Sequence, residues 1–403
     1  MRIGRIQIFI YFIILSITIY VNLINTGCSH QADTEQNMSA LDSYKISENQ
    51  WPSSLLARNI GYTVYSPDTL PTQKPVVIYL TNLPTPRIGL TTDEALIDNF
   101  LDSEMIVFVV DYENDPRAVI PGIMSDIDSL YNYAQNMSAY PIDKDWIYII
   151  PEGHTIDRKI EICKFKNKPV GMDVIYPSEP KAAVPLMLQV TSVSKRGKWI
   201  NKRACYIFGL LTTGYAGAIM DWNISKGIVP HGDLFPEKRA LRLLRGRAAE
   251  WNLSGKIGIT GPSKGGTRAA LAAVINENKM EADLGPYAEE PSRFNVALVS
   301  AGRHAREFLI KDGCMNTSSR GRPVEELRAT SSITYVTPDD PALFLSVGEL
   351  DTYRTEQMKR LAKRCKKVGL EYQLVNQKGL GHEYNPNPDV IKEIFNFFDR
   401  YLK

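Results

Sequence analysis

The amino-acid sequence predicts an α/β protein with a mostly parallel sheet and helices on both of its faces. Three apolar runs rich in β-branched residues, at 75–80, 105–111 and 146–150, are typical of strands buried on both faces. Helical patterns separate these runs at residues 91–103 and 123–135. Strand–helix–strand alternation of this kind indicates parallel strands joined by crossover helices.

The same order of elements recurs further along the chain. The strand-like runs beginning near residues 63, 75, 107 and 146 are matched at 173–177, 184–190, 216–221 and 256–260, with shifts of 109 or 110 residues. A constant shift indicates an internal repeat. It predicts a truncated, degenerate α/β segment at 51–157, followed by a catalytic domain at 158–403. Alternatively, parallel α/β units simply share a similar strand spacing.

The composition limits the classes of function. Hydrophobic residues make up 44% of the 403 residues and charged residues 23%, which is ordinary for a globular protein. The net charge of +2 provides no basic surface for nucleic acid. Five cysteines stand far apart without a C-x-x-C pair, so we expect no metal centre and no redox motif.

The N-terminus has the pattern of an export signal. Arg2 and Arg5 precede an apolar run at about 6–24, and Gly27-Cys28 resembles the bacterial lipoprotein cleavage box, in which the cysteine becomes lipidated. We therefore expect a lipoprotein-type signal peptide at 1–27 and a polar tether at 28–50. An uncleaved membrane anchor or simple secretion would also export the body, so we expect a protein of the bacterial cell envelope, in the periplasm or on the outer-membrane surface.

A candidate nucleophile lies where a strand meets a helix. The strand at 256–260 runs into Gly261-Pro262-Ser263-Lys264-Gly265, and a helical pattern follows at 266–275. Glycines flank the serine in G-x-S-x-G because the turn is tight, and a side chain would clash with the neighbouring strand and helix. The shift of 110 residues puts Gly153 at the corresponding place in the first copy, so that copy has no nucleophile.

A serine needs a base, and the base needs an acid. His382 lies on a glycine-rich loop after the last strand, and Asp351 follows the strand at 341–347. Glu349 is an alternative acid. Three other histidines are weaker candidates: His231 and His304 as pocket residues, and His154 as a loop residue.

From residue 158 onward the chain resembles an α/β-hydrolase, similar to exported carbohydrate esterases of the pectin, glucuronoyl and acetyl esterase type. The segments DVIYPSEP, GYAGAIMDW, KIGITGPSKGG, PALFLSVGELD and KGLGHEY carry the resemblance. The chain order Ser263, Asp351, His382 is the order expected of that fold. The resemblance implies a Ser–His–Asp mechanism with an acyl-enzyme and no cofactor. It also implies an oxyanion site at the Lys264 N–H, with Ser192 as the second donor.

The charges near the serine suggest the substrate. Lys264 follows the nucleophile, and the nearby loop carries three cations and an aromatic residue: Lys195, Arg196, Lys198 and Trp199. Cations gathered beside a nucleophile in a nearly neutral protein favour an anionic substrate, and Trp199 and Trp222 could stack on sugars. Glucuronoyl esterases carry a cation after their serine, so we expect esters of a plant-type polysaccharide, such as methylated pectin.

Three other functions remain open at this stage. An acetyl (xylan) esterase would have the same triad, with the basic loop a solvated surface. A serine exopeptidase would need an acidic pair to hold the substrate amino terminus, and Glu289-Glu290 is the obvious candidate. A non-catalytic binding lipoprotein would have no need of all three triad residues.

Overall fold

The computed structural model describes the main body of the chain in eleven stretches. These are residues 44–67, 72–84, 92–116, 118, 123–165, 167–190, 210–221, 235–275, 285–314, 320–382 and 387–403. The predicted export signal, including Cys28, lies outside the described residues. Among the described helices, none is long and apolar enough to span a membrane.

The first sheet has five strands in the spatial order β1-β2-β4-β3-β5. They are β1 (Tyr44–Ser53), β2 (Arg58–Pro67), β3 (Lys74–Thr81), β4 (Ile106–Asp111) and β5 (Ile142–Pro151). Strands β4, β3 and β5 run parallel, and the β1–β2 hairpin is antiparallel to them. Helix α1 (Asp93–Asp102) and helix α2 (Ile123–Asn136) connect the parallel strands, and the Thr92 side chain caps α1 by accepting from the Ala95 N–H.

The second sheet has eight strands in the spatial order β13-β12-β11-β10-β8-β9-β7-β6. They are β6 (His154–Phe165), β7 (Lys168–Pro177), β8 (Val184–Val190), β9 (Ala216–Asp221), β10 (Leu253–Pro262), β11 (Val296–Ser300), β12 (Ala342–Gly348) and β13 (Tyr372–Gln377). The six strands from β13 to β9 are parallel, and the β6–β7 hairpin is antiparallel to them.

Helices cover both faces of the second sheet, since every residue of β8, β11 and β12 is buried. The described helices of this part are α3 (Phe235–Gly246), α4 (Lys264–Val274), α5 (Val324–Ala329), α6 (Thr352–Val368) and α7 (Pro388–Leu402). The α/β class and the mostly parallel sheet expected from the sequence are confirmed.

The first five strands of the two sheets correspond in order, direction and register. Tyr62 pairs with Val110 in the first sheet, and Met172 pairs with Met220 in the second, 110 positions later in both strands. The β3–β5 and β8–β10 ladders also agree, since Val76 pairs with Ile147 and the partner of Leu186 is Ile257. The strand order 1-2-4-3-5 is thus repeated as 6-7-9-8-10.

Two boundaries differ from those expected. β1 begins at Tyr44, so residues 44–50 are part of a strand rather than of the tether, and β6 begins at His154, so the division at 157/158 falls inside a strand. Both are edge strands with exposed polar positions, as the burial of β1 shows. A half-exposed strand carries a weak apolar signal, which concealed these two starts.

Candidate active site

Ser263 occupies a strained turn between β10 and α4. Its φ of 56° and ψ of −114° are uncommon for a residue with a side chain. A Cβ on Gly261 would lie 2.5 Å from the carbonyl carbon of Gly265, and one on Gly265 would overlap the carbonyl oxygen of Val190. The expected reason for the flanking glycines, a close approach of backbone to backbone, is therefore confirmed.

The folded chain brings Ser263, His382 and Asp351 together. Nε2 of His382 lies 3.1 Å from Ser263 Oγ, and Nδ1 lies 2.5 Å from Oδ2 of Asp351. Asp351 is buried at the start of α6, whereas the His382 side chain is 40% exposed. A serine, a histidine within hydrogen-bond reach and a buried carboxylate behind it form the arrangement that activates a hydroxyl group for attack.

The loop after β13 sets the position of His382. Gly348 packs against the carbonyl groups of Leu380 and Gly381, and Leu350 N–H donates to the Leu380 carbonyl group. The alternative acid, Glu349, instead accepts a hydrogen bond from Gly379 N–H at 3.0 Å. Glu349 therefore fixes the loop, and Asp351 is the carboxylate that contacts the histidine.

Lys264 is the first residue of α4, where the backbone N–H has no acceptor within the helix. Such an N–H, with the helix dipole behind it, can stabilise an oxyanion beside Ser263. Several other residues that the sequence suggested lie outside the described residues: Ser192, Lys195, Arg196, Lys198, Trp199, Trp222 and His231.

Two histidines are more buried than the sequence suggested. His304 is fully buried with Nδ1 3.0 Å from Ser332 Oγ, and burial, followed by the charge of Arg354, lowers its pKa to about 3. His154 is the buried first residue of β6 rather than a loop residue, and burial lowers its pKa to about 4. Both are neutral core residues in the folded protein.

Sequence reasoning missed the arginine closest to the nucleophile. Arg354 is 7% exposed, and its Nη1 lies 2.9 Å from Ser263 Oγ and 2.7 Å from Nε2 of His382. It stands three positions after Asp351 in the first turn of α6, and residues at that spacing share a helix face. That spacing was the available signal.

Two further arginines follow β11 and add positive charge beside Lys264. Burial, and then the charges of Arg303 and Arg306, lowers the pKa of Lys264. Burial, and then the charges of Arg303 and Arg322, lowers the pKa of Arg306 to about 10. Their mutual effect shows that these cations are close enough to repel one another. In the described part of the chain no cluster of potential metal ligands is present.

Known proteins share the fold around this site. Residues 172–364 match the BD-FAE family model. A truncated carbohydrate esterase from gut microbiota is 22% identical, with a TM-score of 0.53 over 61% of this chain and 96% of that one. A bifunctional GH43-CE protein from Bacteroides eggerthii is 22% identical, with a TM-score of 0.51 over 61% of this chain and 38% of that one.

A third similar structure comes from Thermogutta terrifontis. It is esterase 2 phosphorylated by paraoxon, 19% identical, with a TM-score of 0.50 over 62% of this chain and 96% of that one. No curated protein sequence matches the chain. The fold is that of the α/β-hydrolases, and the family match together with the site geometry indicates a serine carboxylic ester hydrolase.

Proposed function

We propose that this protein is an exported carbohydrate esterase that cleaves uronic-acid methyl esters, as in pectin. The observation that carries the proposal is a serine–histidine–aspartate arrangement with hydrogen-bond distances of 3.1 Å and 2.5 Å, set beside a group of cations. The similarity to a carbohydrate esterase supports a sugar substrate.

Ser263 Oγ attacks the ester carbonyl carbon while His382 Nε2 removes the hydroxyl proton, and Asp351 stabilises the resulting imidazolium. The Lys264 N–H, with Ser192 as the second donor, holds the oxyanion. The tetrahedral species collapses, methanol leaves with the proton from His382, and a uronoyl ester of Ser263 remains. Water then attacks that ester with His382 again as base, which releases the uronic acid and restores the serine.

The cations explain why an anionic polymer is favoured over a neutral one. Lys264, Arg303 and Arg306 lie together at the same end of the sheet as the serine. We propose that the loop cations Lys195, Arg196 and Lys198 extend this positive surface, and that Trp199 and Trp222 stack on sugar rings. Several weak cation–carboxylate contacts together can raise affinity tenfold or more.

The exopeptidase alternative loses its main support. Glu290 raises the pKa of Arg245, so the two charges are neighbours, and Arg245 Nε donates to the Gly255 carbonyl group near the start of β10. Ser263 follows the other end of that strand, roughly 25 Å away at 3.3 Å per residue. An acetyl (xylan) esterase remains the second candidate, since it would use the same triad.

We also propose that Cys28 carries a lipid anchor that holds the enzyme in the bacterial cell envelope. The repeated strand order and register support our proposal that the first sheet arose by duplication and lost its chemistry. In that case residues 51–157 serve as a packing or substrate-shaping module.

The deciding experiment compares three products from one enzyme preparation. We would measure methanol from methylated pectin, acetate from acetylated xylan, and amine from peptide anilides, at low and high salt. We expect methanol release that weakens with salt, because the Debye length falls from ~10 Å at 0.1 M to ~3 Å at 1 M. Acetate alone, independent of salt, would indicate a neutral-sugar deacetylase, and amine alone a peptidase.

Covalent labelling tests the nucleophile separately. Paraoxon should inactivate the wild-type protein and add a phosphoryl group to the peptide that contains Ser263. Ser263→Ala should remain folded but unlabelled and inactive. Labelling of the alanine variant, or retained turnover, would remove Ser263 from the proposal.

A further inference from the structure

The Nη1 atom of Arg354 has more acceptors than protons. It lies 2.7 Å from the Ala301 carbonyl oxygen, 2.9 Å from Ser263 Oγ and 2.7 Å from His382 Nε2. Nη1 carries two protons, and the carbonyl group takes one of them. Ser263 and His382 therefore share the other, and the guanidinium touches both reacting groups of the triad.

The Nε atom is also occupied, but Nη2 is not. Nε donates to the hydroxyl group of Tyr353 at 2.8 Å. Within the described residues, no acceptor lies in hydrogen-bond reach of Nη2. Two strong charge-assisted donors thus remain at a position next to the nucleophile.

The charge of Arg354 is poorly compensated. Among the described residues its ion-pair partner is Asp351, whose Oδ2 is 3.9 Å from Nε and already contacts His382. Arg303 approaches from the other side, with its Nη2 3.5 Å from the Tyr353 hydroxyl group. A nearly buried cation with a shared counter-ion and a second cation nearby is costly unless an anion binds there.

We propose that Arg354 forms a carboxylate-binding subsite with Tyr353 and Arg303 as its neighbours. A carboxylate on Nη2 would lie within roughly 8 Å of Ser263 Oγ, given the width of a guanidinium and one charge-assisted hydrogen bond. The inference rests on the proposed function and narrows its substrate class. The enzyme prefers esters whose free carboxylate is on the same sugar as the scissile bond or on the adjoining one.

The test uses two esters that differ in charge alone. The substrates are 3-acetoxybenzoate and 3-acetoxybenzamide, which release the same acetate from leaving groups of nearly the same shape. We would measure kcat/KM for both with the wild type, Arg354→Gln, Arg354→Lys and Lys359→Gln. Lys359 is the matched control, because it lies on the same helix and is 58% exposed in a pair with Glu356.

We expect the wild type to prefer the benzoate. Arg354→Gln should reduce the benzoate-to-benzamide ratio roughly ten- to a hundredfold, the effect of one charge-assisted hydrogen bond. Arg354→Lys should restore part of the preference, since it keeps the charge but not the fork. Lys359→Gln should leave the ratio unchanged. An equal loss on both esters in Arg354→Gln would overturn the inference, because Arg354 would then only support the triad.

A binding measurement separates this inference from the proposed function. In the Ser263→Ala background, galacturonate should raise the Tm more than galactose, and Arg354→Gln should remove the difference. If the wild type hydrolyses neither ester, the proposed function fails while this measurement still decides on Arg354. Equal binding of both sugars, or a galacturonate effect that survives Arg354→Gln, would refute the subsite.

Discussion

Gly261→Ala would test whether the close packing at the turn positions the nucleophile. The added Cβ would lie 2.5 Å from the carbonyl carbon of Gly265, 2.6 Å from its oxygen and 2.7 Å from the Val190 oxygen. Ordinary contacts need about 3.5 Å, so the turn must open by about 1 Å. Because Ser263 is two residues away and its bond to His382 is 3.1 Å long, an opening of that size breaks the bond.

We expect kcat of Gly261→Ala to fall about 100-fold, since a misplacement of 1 Å costs that much. Overpacking should also lower the free energy of unfolding by about 1–3 kcal/mol. The matched control is Gly61→Ala, because the nearest atom to its added Cβ would be Gln50 Nε2 at 3.9 Å. Turnover of p-nitrophenyl acetate and thermal unfolding would be measured for both. Retention of more than half the wild-type kcat by Gly261→Ala would refute the reasoning.

Three further predictions concern the triad and the buried charges. Asp351→Asn should lower kcat roughly 10²–10⁴-fold with little change in Tm, because the histidine loses its orienting carboxylate; unchanged kcat would exclude this acid. His154 and His304 have folded-state pKa values of about 4 and about 3, so the unfolded chain binds protons there first as the pH falls below about 6.5. Stability should therefore decline from about pH 6.5 downward, and thermal unfolding against pH should show a shallower decline for His304→Gln. Since the pKa of Lys264 is lowered, the benzoate preference should fall as the pH rises toward 10, and a similar fall in Lys264→Met would assign it elsewhere.

The central triad was predictable because each member follows a strongly apolar strand. β10, β12 and β13 are parallel neighbours of one sheet, separated only by β11 in the case of β10. The carboxyl ends of parallel strands meet at one edge, so residues just beyond them are brought together whatever their sequence separation. Ser263, Asp351 and His382 could therefore be assigned from strand ends alone.

The cationic surroundings were only partly predictable, because they depend on contacts between side chains distant in sequence. Arg303 follows β11 and Tyr353 lies in α6, yet their side chains meet at 3.5 Å. Arg354 reads as an ordinary surface arginine in a helix that carries seven Lys and Arg residues. Its burial against Ala301 depends on how α6 docks on the sheet, and helix periodicity alone does not specify that position.

The comparison of the two sheets explains why only the second one carries chemistry. Gly153 has a φ of 74°, and Ser263, 110 positions later, has a φ of 56°. Both residues thus bend the chain just after corresponding strands. After Ser263 the chain enters α4, whose N-terminal N–H groups face the reacting atoms.

After Gly153 the chain instead enters β6, and the Gly153 N–H is bound by the Tyr79 hydroxyl group at 2.8 Å. The first sheet therefore keeps the bend but lacks the helix dipole, the free N–H groups and the strands that would supply an acid and a base. Its side chains contribute contacts to the catalytic half instead. Tyr148 of β5 donates to the Asp173 carboxylate of β7 at 2.8 Å, and this carboxylate also accepts from Lys159 N–H. A buried bond of this kind stabilises the junction only while both partners are present, so the first sheet has a structural reason to persist without a nucleophile.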